Sequence, residues 1–419
     1  MRKVRLGDIA NINISGIDKK TKDGEQAVRL CNFTDVYYNW AITKNMYDGL
    51  MQASASESDI EIFSLCKGQV AITKDSETRD DIGVATYIAD DFEDVVLGYH
   101  CALIAPKNDI PEDERIYGKY LNALLHTKYA QKYFSNNATG SGQRYTLSKE
   151  TIEDMPVYLP SYKEQVRIGD YLSDIDKKIE INNLINAELE EMAKQIYNYW
   201  FVQFDFPDED GKPYKSSGGK MVWNEVLKLE IPNGWQEGVL EDIANITMGQ
   251  SPDGSSYNED GDGSIFYQGS TDFGIRFPKI RMYTNAPSRY AKKGDILMSV
   301  RAPVGATNIA NNDCCIGRGL AALNSKIGSI THLYQIIQDL KAKFDLLNNG
   351  GTTFGAINKD ELHTLVVVVP DNSVLENFEE IASPIFEKQM KLGYETEELQ
   401  SLRDFFLPIL LNGQATIKD

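Results

Sequence analysis

The sequence predicts an α+β protein written twice: two similar mixed domains, each followed by a long amphipathic helix. Three observations carry that expectation. Leu6-Gly7-Asp8-Ile9-Ala10-Asn11-Ile12 returns as Leu240-Glu241-Asp242-Ile243-Ala244-Asn245-Ile246. Further anchors follow in the same order: Lys67 to Thr73 answers to Lys293 to Ser299, and Leu147 to Ile152 to Ile357 to Leu362. A helical heptad stripe closes each copy. The offset falls from 234 (Asp8 to Asp242) through 226 (Gly68 to Gly294) to 210 (Leu147 to Ile357), so the second copy keeps the framework and sheds loop residues. Two copies at so long a period make a duplicated domain and not a repeat array.

Each copy opens on a β-rich stretch, 68–73, 82–89 and 95–105 in the first and 294–300, 305–310 and 315–323 in the second, broken by Gly, Asp and Pro turns. A helix is expected next, over 116–134 and 331–347. A polar, Gly-rich loop follows, Asn136 to Tyr145 in one copy and Asn348 to Gly355 in the other, and a short apolar strand then runs into Pro160 or Pro370. Beyond each proline the period turns helical. Ile168, Tyr171, Ile175, Ile185, Leu189, Met192, Ile196 and Tyr199 fall on a and d positions of a heptad. At the offset of 210 so do Phe378, Ile381, Ile385, Leu392, Leu399, Leu402, Phe406 and Ile409. Lys178, Asn182, Lys388 and Glu395 interrupt the pattern. Stripes of roughly 39 residues make helices about 58 Å long, more than a 150-residue domain can cover, so each needs a partner and its duplicate is the obvious one. A pseudo-two-fold between the copies makes the pair antiparallel.

At 419 residues, 42% hydrophobic and 25% charged, the chain is expected to fold as ordinary globular domains. It contains no apolar run of membrane-spanning length and no apolar signal core, so a cytoplasmic location and no membrane partner are expected. Five cysteines without C-x-x-C spacing and four scattered histidines suggest neither a disulfide framework nor a metal site. The net charge of −19 opposes phosphate binding, but it is unevenly spread. Segments 161–204 and 371–419 are acidic, whereas 276–301 holds seven basic residues against Asp295 alone. That basic run reads either as a solvated hairpin or as a face for nucleic acid.

The copies are joined by 205–232, whose Pro, Gly and charged residues read as a loop with little core. The order of globular domain, heptad helix, Phe201-x-x-Phe204-Asp205-Phe206-Pro207, Asp210-Gly211-Lys212-Pro213-Tyr214, Gly219-Lys220-Met221-Val222-Trp223-Asn224, Ile231-Pro232-x-Gly234-Trp235, second domain and second helix resembles the DNA-specificity subunit of type I restriction-modification systems over the whole chain. The resemblance implies two target-recognition domains, each reading half of a bipartite duplex DNA sequence. It implies antiparallel helices that form a coiled coil and dock two adenine-methyltransferase subunits, with restriction/translocase subunits as further partners. No catalysis and no cofactor of the chain's own are implied; S-adenosylmethionine belongs to the methyltransferases. The expected boundaries are 1–160 and 233–370 for the recognition domains, 161–204 and 371–419 for the helices, and 205–232 for the linker.

The residues themselves offer no enzyme. Gly218-Gly219-Lys220 lacks the rest of a phosphate-binding loop, no Asn-Pro-Pro-aromatic or Asp-Pro-Pro-aromatic tetrapeptide occurs, and His100, His126, His332 and His363 fall into no triad. A scaffold whose paired domains bind protein, without sequence-specific DNA binding, remains the alternative. DNA contacts need Arg, Lys and hydroxyls for phosphates and planar donor pairs for base edges. In the first copy the candidates are Lys19, Lys20, Lys22, Tyr37, Tyr38, Lys74, Arg79, Gln143 and Arg144. In the second they are Ser251 and Tyr257 in the stretch Gln250 to Tyr257, the basic-run residues Arg276, Arg281, Arg289 and Arg301, and Thr352 and Thr353.

Overall fold

Strand Ala10–Ile14 of the first copy pairs antiparallel with Cys101–Pro106, which pairs on its other side with Val70–Thr73. Ala85–Ile88 and Ala41–Ile42 complete this sheet, and Met51–Ala55, Gln26–Cys31 and Val95–Leu97 make a second. The computed structural model describes residues 2–140, 142, 144–349 and 355–417. They form two compact units, 1–181 with 397–419, and 182–396.

The second unit repeats the plan. Ala244–Met248, Leu320–Ser325, Ile296–Ser299 and Thr307–Ile309 lie in the same order. Cys31 runs parallel to Leu97 in one unit, and Tyr267 runs parallel to Ile316 in the other. Short terminal ladders, Arg2–Arg5 with Pro156–Leu159 and Gln236–Val239 with Val366–Val369, close both.

These strands read as continuous apolar runs because both of their faces are covered. Val70 and Ile72 enter one core with Ala102, Ile104, Tyr120 and Phe134, while Ala71 enters another with Leu30, Val96 and Leu103. The same alternation sends Ile296 and Met298 to one core and Leu297 to another in the second unit. The expected helix over 116–134 is two helices, Gly118–Leu125 and Lys128–Asn137, because the Thr127 side chain caps the second by accepting from the Ala130 amide. Its counterpart Ile330–Asn349 is unbroken.

The long helices are Tyr162–Tyr197, which passes into a π-turn at Asn198–Val202, and Asn372–Leu411. Within the first unit Tyr171 lies against Phe406 and Arg403 donates to Asp176 at 3.3 Å. Within the second, Asn182 donates to Glu395 at 3.0 Å and Gln389 to Glu190 at 2.9 Å. Rising numbers on one helix meet falling numbers on the other, so the segments pack antiparallel in each unit. Half of the expected stripe is displaced by one residue. Ile168 and Ile175 are buried as expected, but Ile185, Met192 and Tyr199 are exposed, and the seam continues instead through Leu172, Ile179 and Asn186. The second helix shows the same shift: Ile381 and Leu402 are exposed, while Ala382, Gln389 and Thr396 are buried. The apolar residues at 171, 185, 192 and 199 lie one position away from the side chains that pack.

Segment 205–232 is more than a loop. Phe204 and Phe206 are buried, with Phe206 stacked between Tyr214 at 4.7 Å and Trp235 at 5.1 Å, and Met221–Asn224 pairs with Leu229–Pro232 as a hairpin. Among the described residues no helix is long and apolar enough to cross a membrane.

Candidate nucleic-acid interface

Each unit builds the same corner where its central strand leaves the sheet. In the first, the Lys74 amide donates to the His100 carbonyl at 2.8 Å, and Asp75 pairs with Thr146 in a short ladder. In the second, the Val300 amide donates to the Gly319 carbonyl at 2.9 Å, and Arg301 bridges Ala356. Asp75 and Arg301 therefore hold equivalent backbone positions, and so do Tyr99-His100 and Arg318-Gly319.

Asp75 is the hub of the first corner. Its carboxylate, nearly buried, takes Lys74 Nζ at 2.8 Å, His100 Nδ1 at 2.6 Å and Arg144 Nη2 at 3.1 Å. Burial alone would raise this acid, but the hydrogen bonds from Lys74, Thr146 and His100 outweigh it and hold the carboxyl well below the usual range. His100 adopts φ 73°, a left-handed conformation that costs a β-carbon residue about 1 kcal/mol or more. The strand hydrogen bond and the Asp75 contact keep it there. Beside the hub lies a cavity of about 560 Å³ lined by Phe33, Tyr37, Tyr38, Glu77, Asp81, His100 and Arg144 among others. Tyr37 donates to Asp81 at 2.7 Å, which pushes its phenol up to about 12. Tyr38 projects at 78% exposure, and Arg79 lies over the Tyr145 ring at 5.3 Å. The structure thus brings Tyr37, Tyr38, Lys74 and Arg144 to one corner. Lys19, Lys20 and Lys22 are exposed on the separate segment between residues 14 and 26, where Lys22 lies 3.7 Å from Glu25. Gln143 lies outside the described residues.

The second corner is more cationic. Arg301 is exposed, and so is Arg318, the single side chain of the turn Gly317-Arg318-Gly319. Ser251 Oγ accepts from the Arg318 amide at 3.3 Å, and Ser288 Oγ donates to the Gln250 carbonyl at 2.7 Å, which ties the expected contact loop to this corner. Arg289 is exposed, and its carbonyl accepts from the Ile316 amide at 2.9 Å. Arg281 is exposed but anchored, its Nε donating to Asp272 at 3.0 Å. Tyr257 rests on Phe266 at 4.9 Å and donates its hydroxyl to the Pro252 carbonyl at 3.0 Å, holding the loop in shape.

Arg276 requires a correction. Its side chain is 9% exposed, lies over the rings of Tyr334 and Phe386, and donates to Glu190 at 3.1 Å. It fastens the domain to the long helix of its own unit and is withdrawn from any DNA face. Thr352 and Thr353 lie outside the described residues. Asp75, Tyr99, His100 and Arg318 escaped the sequence reading because none stands in a basic run; the signal available was the repeat itself, which aligns Gly98 with Gly317.

Residues 1–191 and 232–383 match the family model described as type I restriction modification DNA specificity domain. A Methanocaldococcus jannaschii protein described as the type I restriction enzyme MjaX specificity subunit is 30% identical, over 99% of this chain and 93% of its own length. The HindI specificity subunit of Haemophilus influenzae is 22% identical over 81% and 85%. The crystal structure of a type I restriction-modification S subunit from M. genitalium shares the fold at a TM-score of 0.57, with 15% identity over 98% of this chain and 95% of that one.

Proposed function

Because the chain belongs to the type I restriction-modification DNA specificity family, we propose that its two heads, residues 1–160 and 233–370, each read one half of a bipartite duplex target. The chain is the sequence-specific, non-catalytic recognition subunit of such a system. The observation that carries the two-half reading is the pair of equivalent corners bearing different side chains, Asp75, His100 and Arg144 in one and Arg301 and Arg318 in the other. One backbone frame with two sets of hydrogen-bonding groups suits two different sequences. Lys19, Lys20, Lys22, Arg79, Arg281 and Arg289 are assigned to phosphate contact, where exposed cations serve without sequence information.

The long helices are assigned to docking two adenine-methyltransferase subunits, with restriction/translocase subunits as further members. Support comes from an apolar stripe left uncovered in the second unit, Leu184, Ile185, Met192, Tyr199 and Val202, at 45, 38, 50, 38 and 53% exposure. Helical spacing places these residues on the side of the helix away from the seam, interspersed with Glu188 and Gln195, and exposed apolar groups among polar ones mark a protein-binding surface. Partner subunits also answer the charge of −19, since the affinity for DNA can be shared with chains that bring cations.

The test is selection from a randomised duplex library by the chain assembled with its methyltransferase. Enrichment of two defined half-sites at fixed spacing is expected. A protein-binding scaffold would return no sequence preference.

A further inference from the structure

We infer that Arg301 and Arg318 form a guanine-reading clamp in the second head, and that this corner is a base-reading position in both heads and not a phosphate contact. The inference rests on the recognition function above and assigns a base class to one site within it.

The geometry begins with register. Ser299 pairs with Leu320, and the Val300 amide donates to the Gly319 carbonyl at 2.9 Å. The ladder ends there: the Leu320 amide donates to the Gly317 carbonyl at 3.0 Å and closes a turn that carries Arg318, so Arg301 and Arg318 flank the Val300–Gly319 hydrogen bond from its two sides. Two like charges brought close without a counter-ion repel each other. Yet both arginines are exposed, and neither makes an ion pair or side-chain hydrogen bond among the described residues. Within the run, Arg276 is paired with Glu190, Arg281 with Asp272 and Lys292 with Asp313, while Arg289 and Lys279, like Arg301, have no ion pair among the described residues. Two like charges held at one corner without a counter-ion are arranged for an external acceptor.

The turn that carries Arg318 is built to hold it still. A β-carbon on Gly317 would come within 3.0 Å of the Gln268 carbonyl oxygen, and one on Gly319 within 2.8 Å. One on Gly249 would come within 2.2 Å of the Gly317 carbonyl oxygen. Three backbone segments therefore pack without side chains between them, and Arg318 alone projects from the turn. Base readout needs such preorganisation, because a mobile side chain loses entropy on each contact.

Sign of charge separates bases from phosphates. The phosphate backbone is the same under both half-sites, so a position that grips phosphate is expected to stay cationic in both heads. At this corner the equivalent residues are Asp75, nearly buried beneath Lys74, His100 and Arg144, and Arg301, exposed and without an ion pair among the described residues, so the two heads present different groups. Base edges do differ in this way. Guanine presents two adjacent acceptors, O6 and N7, in the major groove, and paired guanidinium donors fit them. The first head spends its own cations internally, holding Arg144 and Lys74 on Asp75, and so presents a different set of groups to its half-site.

The experiment uses the chain assembled with its methyltransferase, first selecting the target of the wild-type complex from the randomised library. Arg301→Ala, Arg318→Ala and the two Lys variants are then titrated against duplexes in which each base pair is replaced in turn. Each Ala variant is expected to lose roughly tenfold to hundredfold in affinity for the target. It should tolerate any base at one guanine of the second half-site and keep the wild-type salt slope. The Lys variants should lose the guanine preference as well, since a single ammonium cannot present a planar fork. A loss equal on all duplexes, with the salt slope reduced by about one per arginine, identifies a phosphate contact and overturns the clamp. Unchanged variants overturn it too and leave the recognition function standing. A wild-type complex that enriches no sequence overturns both.

Discussion

Arg276 shows how much one residue's role depends on its neighbours. Four arginines of the basic run look alike in the chain, yet one lies over two aromatic rings and pairs with Glu190. Arg276→Ala should destabilise the second unit by about 1–3 kcal/mol, because Glu190 loses a charged hydrogen-bond partner. The salt dependence of DNA binding should stay at the wild-type slope, which thermal melts and a salt titration together would check. The buried histidines carry a second residue-scale expectation. His126, stacked on Trp40, and His332, packed against Phe201, are both pushed down to about 3 by burial. An unfolded histidine titrates near 6.5, so at higher pH neither affects stability. As pH falls below about 6.5 the unfolded chain gains protons that the folded one refuses, and each histidine should lower stability by about 1.4 kcal/mol per pH unit. Asp176 works the other way in part, since burial raises its carboxyl to about 6 and protonation there favours the folded state. Replacing His332 with Gln should flatten the acid limb of a stability–pH profile by one histidine's share; an unchanged limb would show that the ring takes up a proton while folded.

At the scale of elements, the helix seam decides which apolar residues are core and which are surface. Leu172 and Ile179 are buried in the first unit, whereas Ile185 and Met192, which fit a heptad equally well on paper, are exposed. Leu172→Ala or Ile179→Ala should cost about 2–5 kcal/mol by emptying core volume. Ile185→Glu and Met192→Glu should leave melting within about 0.5 kcal/mol and weaken association with the methyltransferase, read by co-purification or titration. The opposite pattern would restore the unshifted stripe. Buried Asn182, Asn186, Gln389 and Thr396 account for the displacement: polar side chains occupy seam positions where a sequence reading looks for apolar ones. Such residues favour one register over its alternatives, because sliding the helices would leave them unpaired.

For the whole molecule, duplication makes each head a separate reader. The anchors shared by the copies lie in strands and caps, while the contact loops differ in length and residues. Replacing 233–370 with the corresponding segment of a relative should therefore change one half of the selected target and leave the other intact. A change in both halves would show coupled reading.

The repeated anchors, the falling offset and the linker motifs determined by themselves that the chain is one α+β design used twice, with a long helix after each copy, and to which family it belongs. Those features are local or periodic, and local sequence carries them. Tertiary structure alone decided the contents of the corners. Asp75 meets His100 and Arg144 across 25 and 69 residues of chain, and Arg301 and Arg318 come to one corner only through the Val300–Gly319 hydrogen bond. It also decided that Phe204 and Phe206 are core and that Arg276 is not surface. The physical reason is the same in each case: burial, pairing and the electrostatic sign of a site depend on groups that folding brings from far along the chain, and residue type and spacing do not encode which of them arrive.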